Sequence, residues 1–270
     1  PVRNGGKLIE RAIECIFSQT EKNLEIIISD NCSNDGSEKF LKKITQKNSN
    51  IVLYRQVKLL KALDNFKFVL SKARGKFFMW AAHDDTRSNN FIEVLIKSLE
   101  DNKSAVLAFP ELYIYHNENL SDGKKIAYPF STKGLNKWQR AKKTAFLQCF
   151  SIYGVWKSDV LKSLPIIYCR WWVDLPIMLS ASYYGSFVKN KKARFNCLEI
   201  VKTSEERSKI EGYSNKFSLF KSVIELVKTT FITCFKVGGV NFAIFSTFLV
   251  INKQIINFPG FFLRKFKLTE

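Results

Sequence analysis

The chain of 270 residues carries 43 Lys and Arg against 24 Asp and Glu, which gives a net charge of +19. This length is sufficient to bury a full α/β core without disulfides, and the charge calls for an anionic partner such as lipid, nucleic acid or a diphosphate. No Gly-x-Ser-x-Gly, Gly-x-Gly-x-x-Gly, phosphate-loop or Cys-x-x-Cys motif is present, which argues against an α/β-hydrolase, a dinucleotide oxidoreductase, a phosphate-loop nucleotidase and a structural zinc protein.

Helix and strand patterns alternate through the first eighty residues, an order typical of a parallel α/β sheet. Apolar residues at helical spacing predict a helix from about Lys7 to Ser18, and Leu24–Ser29 reads as a buried strand. The next predicted elements are a helix over Glu38–Gln46, a strand over Ile51–Tyr54, a helix over Ala62–Ala73 and a strand over Phe77–Trp80. We expect the polar residues that follow these strands to share one edge of one sheet.

Two adjacent carboxylates, Asp84 and Asp85, follow the strand that ends at Trp80. Ligands of open α/β sheets collect beyond the carboxyl ends of the strands, and Mg²⁺ prefers carboxylate oxygens together with substrate phosphates. The acid pair therefore suits a divalent-cation site. An equally simple interpretation is that the acids cap the next helix, predicted over Asn89–Leu99.

Several segments together resemble the family 2 glycosyltransferases. Pro1–Gly6 is similar to the start of the family's nucleotide loop, and Ser29–Gly36 is similar to its Asp-Asp-Gly-Ser-Thr-Asp-Gly turn. The other similar pieces are Ala12–Thr20, Asn65 and Ala73–Phe77. The resemblance implies an α/β fold with a Rossmann-like, mostly parallel sheet flanked by helices, the A-type glycosyltransferase fold, followed here by a C-terminal helical amphipathic tail.

The resemblance also implies roles for individual residues. Asp85 matches the second acid of the family's metal motif and would hold Mg²⁺ or Mn²⁺ on the donor diphosphate, while Asp84 would contact the ribose or the ion. The cation would offset the negative charge that develops on the departing nucleoside diphosphate. Further residues expected to contact the nucleotide are Pro1, Arg3, Asn4, Asp30 and Asn31.

Two departures from the family pattern lead to expectations of their own. Asn31 stands where the family usually has the acid that reads the base, often uracil; an amide can still pair with a base edge, but the uridine assignment stays open. Full-length members carry a hydrophobic strand before the position of Pro1. We therefore interpret the chain as a fragment without its first strand, and expect an open edge on the strand that would have paired with it.

A third acid, Asp174, begins an apolar stretch that ends near Gly185 and resembles the family's acceptor-side acid. A carboxylate beside apolar walls has a raised pKa and suits a general base, so the implied mechanism is a single displacement with inversion at the anomeric carbon. The competing interpretation is a helix N-cap. Trp171 and Trp172 could stack on a sugar ring or belong to the core. Upstream, Pro110–Lys137 predicts a mobile loop near the acceptor.

The C-terminal part predicts a helical region. We divide the chain into a catalytic domain, residues 1–205, and an amphipathic region, residues 206–270, that begins after a polar segment. From Phe217 onward, apolar residues interrupted by lysines predict an amphipathic helix with a basic face. Val237–Ile251 would reach only about 22 Å as a helix, short of the roughly 30 Å hydrocarbon core, so contact with a membrane surface is favoured over a span. The alternative is a helical pair that packs on the catalytic domain or on a second subunit.

The sequence therefore predicts a metal-dependent, inverting, hexosyltransferase-like enzyme. It would move a sugar from a nucleotide-diphosphate donor to a glycan or lipid-linked acceptor in bacterial surface-polysaccharide synthesis, at the cytoplasmic face of an anionic membrane and without nucleic acid. Two other functions fit parts of the sequence. A nucleotidyltransferase would use the same acid pair with Mg²⁺ but release pyrophosphate. A basic nucleic-acid-binding protein would explain the charge, although its aromatic residues should then interleave with the cations on one exposed face.

Overall fold

A computed structural model describes residues 1–117, 120–121, 123–126, 131–146, 149–169, 173–198 and 216–266, with the side chains of the last segment described from 221 to 253. The chain divides into two compact units. The boundary predicted after residue 205 lies outside the described residues. Unit 1 comprises Pro1–Lys133, Phe150–Ser163 and Phe187–Val201, and unit 2 comprises Gly134–Cys149, Leu164–Ser186 and Lys202–Glu270.

The predicted alternation of helices and strands is present in the structure. In chain order the elements are α1 (Gly6–Phe17), β1 (Ile26–Asp30), α2 (Ser37–Lys47), β2 (Ile51–Arg55), α3 (Ala62–Lys72), β3 (Phe77–Phe78), β4 (Thr86–Arg87), α4 (Phe91–Glu100), β5 (Ala105–Tyr115), β6 (Lys124–Ile126), α5 (Lys137–Ala145), a 3₁₀ turn (Cys149–Tyr153), β7 (Val155–Lys157), α6 (Ser158–Ser163), α7 (Asp174–Tyr184), β8 (Ser186–Leu198) and α8 (Lys216–Phe266).

Among the described residues of unit 1, two apolar clusters form parts of the core. In the first, Ile13 of α1 and Leu41 of α2 pack with Ile28 of β1. In the second, Leu95 of α4 packs with residues of β5, β7 and β8, among them Phe195. The apolar residues of these helices recur three or four positions apart, so each helix turns one stripe toward the strands.

The strands of unit 1 form two sheets rather than the single sheet that we expected. β1 and β2 pair in parallel, and Val2 adds a parallel bridge to Asp30. The second sheet has the order β3-β7-β5-β8-β4, with β6 paired to β5. Its pairs β3–β7, β4–β8, β5–β6 and β5–β7 are antiparallel. Because β1 and β3 belong to different sheets, the residues that follow them do not share one sheet edge.

A cavity of about 650 Å³ lies between these two sheets. It is lined by Ile26 and Ile27 of β1, by Phe77 and Phe78 of β3, and by side chains of the flanking helices such as Ile92. Within the described residues, the edge of β1 that faces away from β2 pairs only with Val2. The strand that we expect to precede Pro1 stays a prediction.

The segment from Pro110 onward is more regular than the mobile loop that we predicted. β5 continues to Tyr115 and pairs with β6, with Leu112 opposite Ile126. Pro110 lies between the part of β5 that pairs with β7 and the part that pairs with β6. Its missing N–H therefore removes no bond from either of these ladders.

Unit 2 consists of the helices α5, α7 and α8. α5 begins with a capping box, in which Asn136 and Gln139 satisfy each other's backbone N–H groups. Leu175 and Leu179 of α7 are buried against Leu226 of α8. α7 ends at Tyr184 with Gly185 in the C-cap position, as the sequence indicated.

α8 contains a kink at Gly239, where φ is 73° and ψ is −173°. This left-handed conformation suits glycine because it has no Cβ. By length and composition alone, Lys221–Lys253 within α8 could cross a membrane; it is the one such helix in the part of the chain that the structure describes. α8 thus joins the amphipathic helix predicted from Phe217 and the apolar stretch Val237–Ile251.

Candidate active site

The two adjacent acids lie between β3 and β4. β4 pairs with β8, with Thr86 opposite Asn196, and this pairing brings Asp85 to the end of β8. The Asp85 side chain is only 4% exposed, and its Oδ1 accepts a hydrogen bond of 3.1 Å from the backbone N–H of Leu198. Arg11 of α1 donates to the backbone oxygen of Asp84 at 3.1 Å. The acid pair is therefore fixed by contacts from both α1 and β8.

Burial raises the pKa of Asp85 to about 6, and the negative charge of Asp84 adds to this effect. The Arg87 charge and the Leu198 N–H oppose the shift. A divalent cation would relieve both unfavourable effects, since it supplies positive charge and prefers carboxylate oxygen. The donor set therefore fits Mg²⁺ or Mn²⁺. The described residues contain no cluster of three or more His, Cys, Asp or Glu side chains, so the diphosphate and water would complete the coordination.

Arg87 is a component of this site that sequence reasoning missed. Its buried guanidinium lies 5.6 Å from the ring centre of Phe91 and 5.1 Å from that of Phe195. One nitrogen, Nη2, donates to the Trp80 carbonyl at 3.2 Å, while Nε and Nη1 have no hydrogen-bond partner among the described residues. Residues two apart in an extended chain point to the same face. The position of Arg87 two residues after Asp85 was therefore the signal in the sequence that it could belong to the site. Its partners from β8 were not foreseeable.

The predicted nucleotide turn is held by Asp30. Its carboxylate is 1% exposed, and Oδ1 accepts a hydrogen bond of 3.1 Å from the Ser33 N–H. Arg55 donates to the other carboxylate oxygen and also to the Ser33 carbonyl, the latter at 3.1 Å. The Asp30 carboxylate therefore stabilises the turn itself, and its predicted contact with the nucleotide stays a prediction.

Asn31 makes a pair of hydrogen bonds with the backbone of Leu60. Its Nδ2 donates to the Leu60 carbonyl at 3.0 Å, and its Oδ1 accepts from the Leu60 N–H at 2.8 Å. This arrangement fixes the loop after β2 beside the turn. One amide N–H and one oxygen lone pair remain for a base edge, so contact with the base stays a prediction.

The loop from Pro1 to Gly6 is joined to the start of α2. Asn4, at a φ of 52°, donates its backbone N–H to the Ser33 hydroxyl at 2.9 Å. The N–H groups of Gly5 and Gly6 donate to the Ser37 hydroxyl at 3.0 and 3.1 Å. Arg3 in this loop is exposed, while Pro1 lines the cavity between the sheets.

Asp174 is the first residue of α7 in unit 2. The N-cap position belongs to Val173, and no side chain caps the helix there, so the N-cap interpretation of Asp174 is wrong. The side chain is half-buried, and burial raises its pKa to about 7. A carboxyl group with this pKa can accept a proton near neutral pH. Trp171 and Trp172 lie outside the described residues.

Residues 1–155 match the family model described as "Glycosyl transferase family 2". The chain belongs to this family. The match contains the nucleotide turn and the acid pair, and it confirms the family resemblance that the sequence motifs indicated.

Curated relatives of this glycosyltransferase family member are bacterial and archaeal. Glycosyltransferase GlyG of Streptococcus pneumoniae is 27% identical over 128 residues, which are 47% of this chain and 41% of the relative. The GalNAc(5)-diNAcBac-PP-undecaprenol beta-1,3-glucosyltransferase of Campylobacter jejuni is 28% identical over 167 residues, 60% of this chain and 52% of the relative. The chain thus spans about half of these relatives or less.

Solved glycosyltransferase structures share the fold. S. aureus TarS 1–349 in complex with UDP-GlcNAc superposes with a TM-score of 0.71 at 11% identity, covering 97% of this chain and 74% of TarS 1–349. The mannosyltransferase PcManGT from Pyrobaculum calidifontis, in complex with GDP-Man and Mn²⁺, has a TM-score of 0.56 at 13% identity, covering 92% and 68%. The predicted α/β fold of the A-type glycosyltransferases is confirmed.

The Asn31–Leu60 pair predicts the effect of an acid at this position. Asn31→Asp replaces the amide N–H that donates to the Leu60 carbonyl with a carboxylate oxygen, which repels that carbonyl. We therefore expect the free energy of unfolding to fall by about 1–3 kcal/mol. Urea unfolding at pH 8 measures this loss. Asn34→Asp, at an exposed position of the same turn, is the control and should change it by less than about 0.5 kcal/mol. Equal stability of the two variants would contradict the assigned hydrogen bonds.

Asp174 predicts a pH dependence of stability. Its pKa of about 7 in the folded chain exceeds the value of about 3.9 in an unfolded chain. Between these two pKa values the Asp174 carboxyl binds more protons in the folded state than in the unfolded state. Its contribution to the free energy of unfolding therefore falls as pH rises from about 4 to 7. Asp174→Asn removes that contribution.

Urea unfolding of both proteins at pH 5 and pH 8 should therefore show Asp174→Asn gaining stability relative to the wild type at the higher pH. Asp159→Asn, at an exposed position on α6, serves as the control. A difference between wild type and Asp174→Asn that is the same at both pH values would show that the carboxyl is not desolvated.

Proposed function

We propose that this protein transfers a sugar from a nucleotide-diphosphate donor to a glycan or lipid-linked acceptor, with inversion at the anomeric carbon and with a divalent cation. The reaction would serve bacterial surface-polysaccharide synthesis at the cytoplasmic face of the membrane. The observation that carries the proposal is the buried Asp85, whose pKa is raised by burial and by Asp84 within the segment that matches the family model.

The donor side of the proposal follows from that acid pair. Asp85, and Asp84 beside it, would hold Mg²⁺ or Mn²⁺, and the bound ion would offset negative charge on the departing diphosphate. The exposed Arg3 and the loop around Asn4 would contact the nucleotide. This loop is hydrogen-bonded to the start of α2. Structural neighbours support this assignment, because TarS was solved with UDP-GlcNAc and PcManGT with GDP-Man and Mn²⁺.

The acceptor side of the proposal assigns the general base to Asp174. Its carboxylate would take the proton from the acceptor hydroxyl as that oxygen attacks the anomeric carbon, so one displacement inverts the configuration and no sugar is attached to the enzyme. A pKa of about 7 suits this role, since the group is then both substantially ionised and basic at neutral pH.

A lipid-linked acceptor is supported by one relative. The Campylobacter jejuni enzyme is named for transfer onto a saccharide attached through diphosphate to undecaprenol. An acceptor of this type is anchored in a membrane, which agrees with the strongly basic composition of this chain.

Turnover of UDP-, GDP- and dTDP-sugars with Mn²⁺ and a lipid-linked saccharide tests the proposal. We expect release of a nucleoside diphosphate from one donor class, with kcat increasing as pH rises through about 7. Asp174→Asn should lower kcat by about 10²- to 10⁴-fold with little change in the KM of the donor, because a base acts in the transition state.

Asp159→Asn, the exposed acid on α6, is the matched control and should leave turnover unchanged. Full activity of Asp174→Asn would remove this residue as the base. Release of pyrophosphate would instead identify a nucleotidyltransferase.

A further inference from the structure

α8 presents a large apolar surface to solvent on both sides of its kink. Before Gly239, the exposed fractions are 38% for Ile224, 37% for Phe231 and 50% for Phe235. The rings of Phe231 and Phe235 stack on each other at a centroid distance of 6.2 Å. The opposite side of the same helix packs in the core of unit 2, where Leu226 is fully buried. These exposed side chains therefore lie on one face of the helix.

Three lysines lie on that exposed face beside the apolar side chains. Lys221, Lys228 and Lys236 are exposed and spaced by seven and eight residues. At about 100° per residue they lie on the same exposed arc as Ile224, Phe231 and Phe235, and the 44% exposed Ile232 lies among them. The acid among the described side chains of α8, Glu225, is half-buried. The face therefore combines cationic with apolar side chains.

Between Val240 and Ile251, α8 exposes a second set of apolar side chains, and this stretch contains no charged residue. Val240, Ile244, Phe248 and Ile251 are 50%, 56%, 59% and 40% exposed, and their spacing of three to four residues places them on one stripe. Four large apolar side chains at this exposure are uncommon on a surface that meets only water.

On the side of α8 that faces away from this stripe, the helix contacts α5. Trp138 is 36% exposed and packs against Phe242 and Phe245 of α8, with ring centroids 5.7 and 5.2 Å apart. The Lys137 ammonium lies 5.4 Å from the ring centre of Trp138.

We propose that the exposed face of α8 in unit 2 binds the surface of an anionic lipid bilayer. The apolar side chains would enter the boundary between headgroups and acyl chains, and the three lysines would contact anionic headgroups. Gly239 breaks the helical backbone inside Lys221–Lys253, so this stretch is not one straight helix across a bilayer.

A second copy of the chain is the less suitable occupant. In a twofold dimer the same patch meets itself, so Lys228 and Lys236 would face lysines of the other copy, and no acid among the described side chains of α8 is exposed. Anionic lipid supplies the opposite charge. The inference specifies the membrane contact of the proposed function, and it does not depend on sugar transfer.

Vesicle sedimentation of the whole chain, without donor or metal, tests the inference. Vesicles of phosphatidylcholine with about 30% phosphatidylglycerol should bind the wild type, and pure phosphatidylcholine should bind it at least tenfold more weakly. The triple variant Lys221→Gln/Lys228→Gln/Lys236→Gln should lose at least tenfold in binding to the anionic vesicles. Phe235→Ser/Phe248→Ser should lose a similar factor, because it removes inserted apolar area.

Phe17→Ser, at a 38% exposed position of unit 1, is the control and should bind as the wild type does. Circular dichroism and thermal unfolding verify that each variant is folded; if the double Phe variant does not fold, the lysine variant and the lipid comparison still decide. Equal binding of the lysine variant and the control would overturn the inference. So would a dimer in sedimentation velocity that Phe235→Ser/Phe248→Ser abolishes. Absence of sugar transfer would not alter these results.

Discussion

The site depends on one unfavourable arrangement, the burial of the Asp85 carboxylate beside a second acid. Pairing of β4 with β8 fixes this position, because it places the acid against the N–H of Leu198. A buried charge is costly unless an opposite charge balances it. Arg87 provides part of that balance, yet the pKa of Asp85 remains raised to about 6. A divalent cation would provide the rest, so formation of the fold and affinity for the ion are coupled through the same carboxylate. The proposed donor chemistry follows from this coupling.

Named hydrogen bonds hold the predicted nucleotide turn and the loops beside it. Asp30 and Arg55 hold the turn after β1, Asn31 holds the loop after β2, and the loop before α1 is tied to Ser37 at the start of α2. Each of these bonds joins residues far apart in sequence, so the loops are positioned before any ligand arrives. Such preorganisation reduces the entropy lost on binding a flexible nucleotide. In unit 2, the raised pKa of Asp174 likewise has a structural cause, since the residue is half-buried and does not cap α7.

Local patterns were enough to predict the elements around the site, whereas long-range contacts were not predictable. Helical spacing located α1 to α4, and the order of the motifs identified the family and the pair Asp84 and Asp85. Arg87 was missed because its environment is made by Phe195, more than one hundred residues away. The hydrogen bonds of Asn31 to Leu60 were likewise invisible, since a side-chain amide suits either a base or a backbone. The division into two sheets, the continuation of β5 through Pro110 and the extent of α8 all depend on which strands and helices meet, which periodicity does not encode.

Binding of Mn²⁺ measured by electron paramagnetic resonance, with and without a nucleoside diphosphate, tests the cation site most directly. We expect the nucleotide to tighten Mn²⁺ binding to the wild type, because the diphosphate completes the coordination. Asp85→Asn should weaken that binding at least tenfold, whereas Asp101→Asn, at an exposed position after α4, should leave it unchanged. Binding of Mn²⁺ and nucleotide by Asp85→Asn as tightly as by the wild type would contradict the assignment of the buried acid as the metal ligand.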